Sequence, residues 1–202
     1  MAVAFAAGSV PVANLTARAL VGVDLRHTPT GTPSGSALYD VTGFGPLAAA
    51  GAVELARGAL GPVLAGRQRP LLGALAAAVA VAGHNWSPWL RGQGGRGISL
   101  LLGATAALAP EATVVLGLGL GVGRLRGRTG AGTLVALLCL PALLSRTRGR
   151  RGLATGCLLI APVLVKRLLG NENRLAGSWS AVVRRLVADA GGAGPGPEAH
   201  PR

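Results

Sequence analysis

Residues 70–90 read PLLGALAAAVAVAGHNWSPWL and contain no Asp, Glu, Lys or Arg. A helix needs about 20 predominantly apolar residues to cross the hydrocarbon of a bilayer. An uncharged run of this length predicts a membrane-spanning helix. It decides the fold class because similar runs recur along the chain.

The overall composition supports the same interpretation. The 202 residues carry a formal charge of +13, yet only 13% of them are charged, about half of the roughly 25% expected in a soluble domain. The basic residues must therefore cluster between long uncharged runs. A nucleic-acid-binding protein would instead spread them along a groove, so we exclude nucleic acid as a partner.

The two cysteines, Cys139 and Cys157, both lie inside apolar runs. A disulfide framework or a metal cluster has no supporting partners there. We therefore expect no metal site, and we interpret both cysteines as packing residues.

Seven apolar segments are candidate spans, and they cover residues 2–22, 45–66, 70–89, 98–109, 112–123, 130–144 and 153–169. The first segment has no charge before Arg18, so it lacks the basic region of a cleaved signal peptide. Arg18 and Arg26 follow it. Because basic flanks stay cytoplasmic, we predict an N-terminus outside the cell and residues 23–44 inside.

The stretch 98–122 leaves two interpretations open: one helix kinked at Pro110, or two short helices that turn at Pro110 and Glu111. Seven spans place twelve basic residues inside and six outside, whereas six spans place eight inside and ten outside. The positive-inside rule favours seven. We predict an all-α integral membrane protein with about seven transmembrane helices, in which the arginine cluster at 146–151 lies outside.

The composition changes after residue 177. Apolar residues recur at helical spacing between Val182 and Ala190, with Arg184, Arg185 and Asp189 among them. This pattern predicts an amphipathic interfacial helix at 178–190, after a transmembrane domain at 1–177. Residues 191–202 are rich in Gly and Pro, which predicts a disordered tail.

A glycine-rich loop precedes the span that begins near residue 98. Its glycines surround Arg96 and are Gly92, Gly94, Gly95 and Gly97. Free backbone N–H groups at a helix start and a guanidinium would face one point, which is typical of an anion site. The upstream segment with His84 is equally typical of an aromatic belt before a flexible loop. A histidine there is more often a satisfied polar residue at a helix end than a catalyst.

Two further segments are unusual. Residues 28–36 read TPTGTPSGS and offer hydroxyls and turn backbone, a pattern typical of a polar linker. Glu54 and Arg57 lie three residues apart in the second span, where each charge costs roughly 2.5–3.5 kcal/mol to insert. Mutual neutralisation on one helix face explains such a pair, and an intramembrane transport site is the alternative.

Taken in order, several short motifs resemble the acyl-phosphate:glycerol-3-phosphate acyltransferase family (PlsY-type). They are Gly8-Ser9-Val10-Pro11, Gly22-Val23-Asp24-Leu25-Arg26, Glu54-Leu55-Ala56-Arg57-Gly58, Gly83-His84 leading to Gly94-Gly95-Arg96-Gly97, and Asn171 with Arg174-Leu175. The resemblance covers roughly residues 7–177.

The resemblance implies an enzyme of phospholipid synthesis in the plasma (inner) membrane, with seven spans and active-site loops on the cytoplasmic side. It would move an acyl group from acyl phosphate to the 1-hydroxyl of glycerol 3-phosphate, among membrane lipids, without a metal or cofactor. The residues this assigns to catalysis are His84, Arg96 and Thr30. Those assigned to substrate and phosphate binding are Gly31, Thr32, Ser34, Arg26, Gly94, Gly95, Gly97, Arg57, Asn171 and Arg174. Structural roles fall to Ser9, Pro11 and Glu54.

The chain departs from the family in the loop that follows the first span. Where the family has Gly-Ser-Gly-Asn-x-Gly-Ala-Thr-Asn, residues 29–37 read PTGTPSGSA, so only Gly31 is retained and both asparagines are absent. The family's histidine three residues before Asn171 falls at Leu168, and its serine after the fifth span is at best Thr129. Two alternatives therefore stand beside the enzyme: a catalytically silent relative that binds phosphorylated lipid or a partner, and a small transporter.

Overall fold

The structure is a computed structural model that describes residues 1–29, 31–171 and 178–187. Within these ranges the chain forms helices and no strand, which confirms the all-α prediction. The helices are α1 (Ala2–Ser9), α2 (Val12–Val21), α3 (Gly35–Thr42), α4 (Phe44–Ala65), α5 (Pro70–Asn85), α6 (Ile98–Leu108), α7 (Pro110–Leu125), α8 (Thr129–Leu169) and α9 (Trp179–Val187). Short 3-10 turns form at Leu25–His27 and Pro88–Leu90.

The first predicted span is a broken helix. Val10 leaves the helical conformation with φ −63° and ψ 120°, and Pro11 follows it without an N–H to continue the ladder. The chain resumes as α2 at Val12. The carbonyls at the end of α1 therefore need partners from elsewhere in the bundle.

The stretch 98–122 forms two helices rather than one kinked helix. Ala109 separates them with φ −155° and ψ 80°, and Pro110 begins α7. The hydroxyl of Thr113 donates to the hydroxyl of Thr105 at 2.9 Å. Eight residues of continuous helix would separate the Cα atoms of these two residues by about 12 Å, so the chain folds back on itself at Ala109.

The sixth and seventh predicted spans form the two halves of α8, which folds back on itself at Gly149, because a methyl group at Gly156 in the second half would collide with the backbone of Pro141 in the first. Gly149 has φ +62°, a value that favours glycine. Just before it, Arg148 donates to the carbonyl of Leu108 at 2.6 Å and lies 2.8 Å from the Glu111 carboxylate. The arginine cluster at 146–151 thus lies beside the α6–α7 turn, where Arg148 caps α6.

Glycines let the long helices approach backbone to backbone. A methyl group at Gly58 of α4 would collide with the carbonyl of Leu100 in α6, and one at Gly103 of α6 would collide with the carbonyl of Leu55 in α4. Small residues at crossings are typical of helix pairs in membranes. The position of α4 against α6 is therefore set by backbone contact.

Three helical segments are long and apolar enough to cross a membrane, namely Ala2–Val21, Phe44–Ala65 and Thr129–Leu169. Cys139 and Cys157 are both exposed on α8, so the expectation that they pack in the core is wrong. An apolar position in a membrane protein can face lipid as well as the core. The number of spans and their orientation stay predictions.

The segment predicted as a polar linker, residues 28–36, leads directly into α3. The Ser34 hydroxyl caps this helix by accepting a hydrogen bond from the N–H of Ala37 at 3.3 Å. Ala37 and Leu38 are buried against Ala13 and Leu25. These apolar contacts pack the linker against α2. The composition of residues 28–36 alone does not reveal them.

The C-terminal helix α9 is tied to the end of α8 by reciprocal arginines. Arg185 donates to the carbonyl of Leu169 at 3.1 Å, and Arg167 donates to that of Leu186 at 2.5 Å. The interfacial role predicted for 178–190, the boundary at 177 and the disordered tail at 191–202 stay predictions. Residues 188–202 lie outside the described residues.

Candidate active site

The glycine-rich loop is packed against the end of α5. The N–H of Gly94 donates to the carbonyl of Asn85 at 3.2 Å. A methyl group at Gly94 would collide with the carbonyl of His84, and one at Gly95 would lie 2.5 Å from His84 Nε2. Gly97 then starts α6 with φ +69°. The structure therefore brings His84 and the three predicted loop glycines together.

Two buried polar side chains hold this loop against α8. The Asn85 amide donates to the carbonyl of Pro162 at 2.8 Å. The Lys166 ammonium donates to the carbonyl of Gly92 at 3.0 Å and lies 5.6 Å from the centre of the Trp86 ring, a cation–π distance. Lys166 is only 3% exposed, so it places a buried positive charge directly against the loop.

Lys166 was not predicted from the sequence to belong to the site. A signal was available, because Lys166 is the single lysine among 20 basic residues and lies at the end of an apolar helix. Ionisable residues in such segments usually face the bundle interior and have a function. We therefore add Lys166 to the candidate site.

The loop that follows the first span reaches the same place. Asn171 donates from its amide to the carbonyl of Gly31 and to the hydroxyl of Thr32, both at 2.8 Å. A methyl group at Gly95 would lie 3.0 Å from the carbonyl of Pro33. The segment 31–33 thus bridges Asn171 and the glycine loop.

The remaining predicted binding residues of these loops are placed as follows. Arg96 is half-buried between Gly95 and Gly97. Ser34 serves as the cap of α3 and shares a 3.0 Å hydrogen bond with Ser36. Thr30 and Arg174 lie outside the described residues.

Arg26 forms an ion pair with Asp24 next to the 3-10 turn at Leu25–His27. Its guanidinium lies 2.7 Å from the Asp24 carboxylate. This hydrogen bond lowers the pKa of Asp24 to about 2 and raises the pKa of Arg26. The pair stabilises the chain as it leaves α2. The Arg26 guanidinium donates its hydrogen bonds to the Asp24 carboxylate.

Glu54 and Arg57 attract each other through their charges, but each makes its direct contacts with another helix. Glu54 Oε1 lies 4.0 Å from His84 Nδ1, whereas Arg57 donates to the carbonyls of Ala7 and Gly8 at the end of α1. The two side chains are directed to different neighbouring helices because α4 packs against both α1 and α5. Arg57 thus satisfies carbonyls at the broken end of α1, and its role in binding substrate phosphate stays a prediction.

Ser9 and Pro11, predicted to have structural roles, lie at the break in the first span. Pro11 breaks the first span, as described above. The Ser9 hydroxyl accepts a hydrogen bond from Trp89 Nε1 at 3.3 Å, and the Ser9 carbonyl accepts one from the Ser87 hydroxyl at 2.5 Å. The break in the first span thereby anchors the turn that precedes the glycine loop.

The arrangement provides backbone N–H groups, a guanidinium, an ammonium and an imidazole at one end of the bundle. Such donors suit a phosphate group and charge that develops on oxygen. In the part of the chain that the structure describes, no group of three or more His, Cys, Asp or Glu side chains could hold a metal ion.

Comparison with known sequences places this geometry in a family. The family profile described as glycerol-3-phosphate acyltransferase matches residues 1–177. Proteins named glycerol-3-phosphate acyltransferase from Synechococcus sp. and Clostridioides difficile are 29% and 27% identical, each over 87% of this chain and over 89% and 93% of their own lengths. A Moorella thermoacetica protein named glycerol-3-phosphate acyltransferase 2 is 37% identical over 55% of this chain and 58% of its own length.

Solved structures share the fold. The integral membrane glycerol 3-phosphate acyltransferase PlsY in its glycerol 3-phosphate form superposes with a TM-score of 0.72 at 18% identity, over 90% of this chain and 96% of that one. Its lysophosphatidic acid form gives a TM-score of 0.66 at 19% identity. With its long apolar helices, this chain is an integral membrane protein, and it belongs to the glycerol-3-phosphate acyltransferase family.

Proposed function

We propose that this chain transfers an acyl group from acyl phosphate to the 1-hydroxyl of glycerol 3-phosphate, giving lysophosphatidate and phosphate. The observation that carries the proposal is the convergence of two loops, in which the glycine loop lies on His84 and also contacts the 31–33 segment held by Asn171. Relatives of nearly full-length coverage carry the name of this activity.

The proposed reaction is one substitution at a carbonyl carbon. The 1-hydroxyl oxygen attacks that carbon, the bond from the carbon to the phosphate oxygen breaks, and the hydroxyl proton passes to a base. Acyl phosphate is already an activated donor, so no covalent enzyme intermediate is required. The protein then acts by holding both substrates in line and by stabilising charge that develops on oxygen.

The roles of the residues in this proposal follow from their positions around the glycine loop. Arg96 and the N–H groups of Gly95 and Gly97 bind the phosphate of a substrate, because charge-assisted hydrogen bonds to phosphate are strong. The N–H of Gly94 already donates to the carbonyl of Asn85. Lys166 adds positive potential from beneath the loop. His84 is the candidate base, since its Nε2 borders Gly95.

The acyl chain and the membrane location belong to the same proposal. A long-chain acyl phosphate partitions into lipid, whereas glycerol 3-phosphate arrives from water. A site at the end of an apolar bundle can receive both. We place the protein in the plasma membrane with the site facing the cytoplasm, in accordance with the positive-inside count.

The catalytically silent relative is the second candidate, and the 29–33 segment motivates it. Pro29 and Pro33 have no N–H to donate, and the family's asparagines are absent from this loop. In that case the bundle would bind phosphorylated lipid or glycerol 3-phosphate without turnover. The small transporter is less well supported, because Glu54 and Arg57 are directed to different neighbours.

The deciding experiment measures product. Purified protein in lipid nanodiscs is supplied with long-chain acyl phosphate and radiolabelled glycerol 3-phosphate, and labelled lysophosphatidate is extracted. We expect product from the wild type and none from Arg96→Ala, with Arg150→Ala, an exposed arginine near the Gly149 bend, as the matched control.

Three outcomes discriminate the candidates. A wild-type protein that is monodisperse and binds glycerol 3-phosphate but forms no lysophosphatidate favours the silent relative. If Arg150→Ala loses as much product as Arg96→Ala, Arg96 does not have the role assigned to it. Flux of substrate across proteoliposomes that disappears in Glu54→Gln favours the transporter.

A further inference from the structure

We infer that Glu54 is a positioning residue for glycerol 3-phosphate binding, and that it acts through His84 on the glycine loop. The inference rests on the proposed function for the identity of the ligand. The family resemblance gives Glu54 only a structural role, and Glu54 does not itself lie in the glycine loop.

The first step is the buried contact between α4 and α5. Glu54 is 7% exposed and His84 is 8% exposed, and the carboxylate oxygen lies 4.0 Å from His84 Nδ1. Nδ1 is fully enclosed and has no hydrogen-bond partner. A buried carboxylate facing a buried imidazole nitrogen favours a proton on that nitrogen. At 4.0 Å Glu54 makes no hydrogen bond to the ring, but its negative charge favours the tautomer with hydrogen on Nδ1.

The second step is the contact between the imidazole and the loop. The opposite ring nitrogen, Nε2, borders Gly95 so closely that a methyl group there would lie 2.5 Å away. The carbonyl of His84 meets Gly94 in the same way. A ring that rotates or shifts must move the loop, because interiors packed to this density have no free volume.

The third step is the balance of charge around the ring. Three charged groups surround His84, namely Glu54 and Arg57 of α4 and Lys166 of α8. Glu54 is the carboxylate among them. Glu54→Gln would remove the negative charge that balances the two cations, and an uncompensated charge in a buried site is strongly unfavourable. The loop would then lose its support on the side that faces His84.

The effect is local because α4 is held independently of Glu54. Gly58 and Gly103 fix α4 against α6 through backbone contact, and Arg57 fixes α4 against α1. A neutral side chain of the same shape at position 54 leaves both contacts in place. Glu54→Gln should therefore change the ligand site more than the stability of the bundle.

The test is a double-mutant cycle in nanodiscs with Glu54→Gln, His84→Asn and the double variant. Two readouts are measured: the Kd for glycerol 3-phosphate by calorimetry without acyl phosphate in all four proteins, and its KM during turnover in the proteins that keep His84. We expect Glu54→Gln to raise both by about tenfold, with the KM for acyl phosphate unchanged. In the His84→Asn background, Glu54→Gln should have no further effect on the Kd. Glu54→Asp, which keeps the charge, should recover most of the affinity.

A matched control carboxylate is Glu111, which pairs with Arg148 beside the α6–α7 turn. Glu111→Gln should leave both readouts at wild-type values. Effects of Glu54→Gln and His84→Asn that multiply independently would overturn the inference, as would an equal loss of both substrates' affinities together with a lower Tm. Wild-type protein that binds glycerol 3-phosphate but makes no lysophosphatidate refutes the proposed reaction and still lets the binding cycle decide the role of Glu54. Wild-type protein that does not bind glycerol 3-phosphate refutes both.

Discussion

Gly95→Ala is the substitution whose effect the structure defines most directly. The added methyl group would lie 2.5 Å from His84 Nε2 and 3.0 Å from the carbonyl of Pro33. Ordinary van der Waals contact begins near 3.4 Å, so relief on the His84 side requires a shift of about 0.9 Å. The Pro33 backbone carbonyl is a second close contact of the same methyl group, so a shift of the loop must relieve both contacts at once.

The expected magnitude follows from that displacement. Misplacing a reacting group by about 1 Å can lower a rate about 100-fold, which corresponds to about 2.7 kcal/mol of transition-state stabilisation. Overpacking of a buried site also lowers the free energy of unfolding by about 1–3 kcal/mol. We therefore expect Gly95→Ala to remain folded and to lose about 100-fold in kcat/KM for glycerol 3-phosphate.

The assay is steady-state formation of lysophosphatidate in nanodiscs, with thermal unfolding of each variant measured in parallel. The control is Gly117→Ala in α7, because nothing lies within 4 Å of the added methyl group. That variant should keep wild-type kinetics. A folded Gly95→Ala protein with wild-type kcat/KM would refute the reasoning, since the loop would then not depend on its contact with His84.

Three further predictions test other contacts. Asn171→Ala removes two 2.8 Å hydrogen bonds, each contributing about 0.5–1.5 kcal/mol, so kcat/KM should fall about tenfold while the Tm in detergent stays within a few degrees of wild type. Arg57→Met leaves the α1 carbonyls without their donor, which costs about 2 kcal/mol and should lower the Tm by roughly 4–8 °C. Arg57→Lys should lose less. Asp24 has its pKa lowered from 3.8 to about 2 in the folded state, so its contribution to stability is complete above about pH 4 and is lost as the pH falls towards 2. Asp24→Asn should therefore show a smaller drop in Tm than wild type between about pH 5 and pH 2.

The helical framework was predictable because its causes are local in sequence. Uncharged runs mark the long helices, and Pro110 and Pro11 mark two of the breaks. The turn within α8 falls in the charged stretch between the predicted spans 130–144 and 153–169, so its place was also predictable. Its form was not, because the positive φ at Gly149 leaves no pattern in hydropathy.

The candidate site was predictable where the residues that form it lie in one loop. Gly94, Gly95 and Gly97 form such a feature, since their spacing before a helix is itself typical of an anion site. The partners of Glu54 and Arg57 were not predictable, because three-residue spacing suggested a contact with each other. Their partners belong to helices that the local pattern does not identify.

The role of Arg57 has a consequence for how the protein is made. The carbonyls at the end of α1 have no partner within their own broken helix, and the guanidinium that satisfies them lies 50 residues later in the chain. Unpaired backbone groups are costly in hydrocarbon. The first span therefore reaches its stable state in the bilayer only after the second has entered, which makes the two spans a single unit of membrane insertion. Interrupting synthesis between residues 22 and 57 would leave α1 and α2 as an incompletely paired segment, open to quality-control proteases.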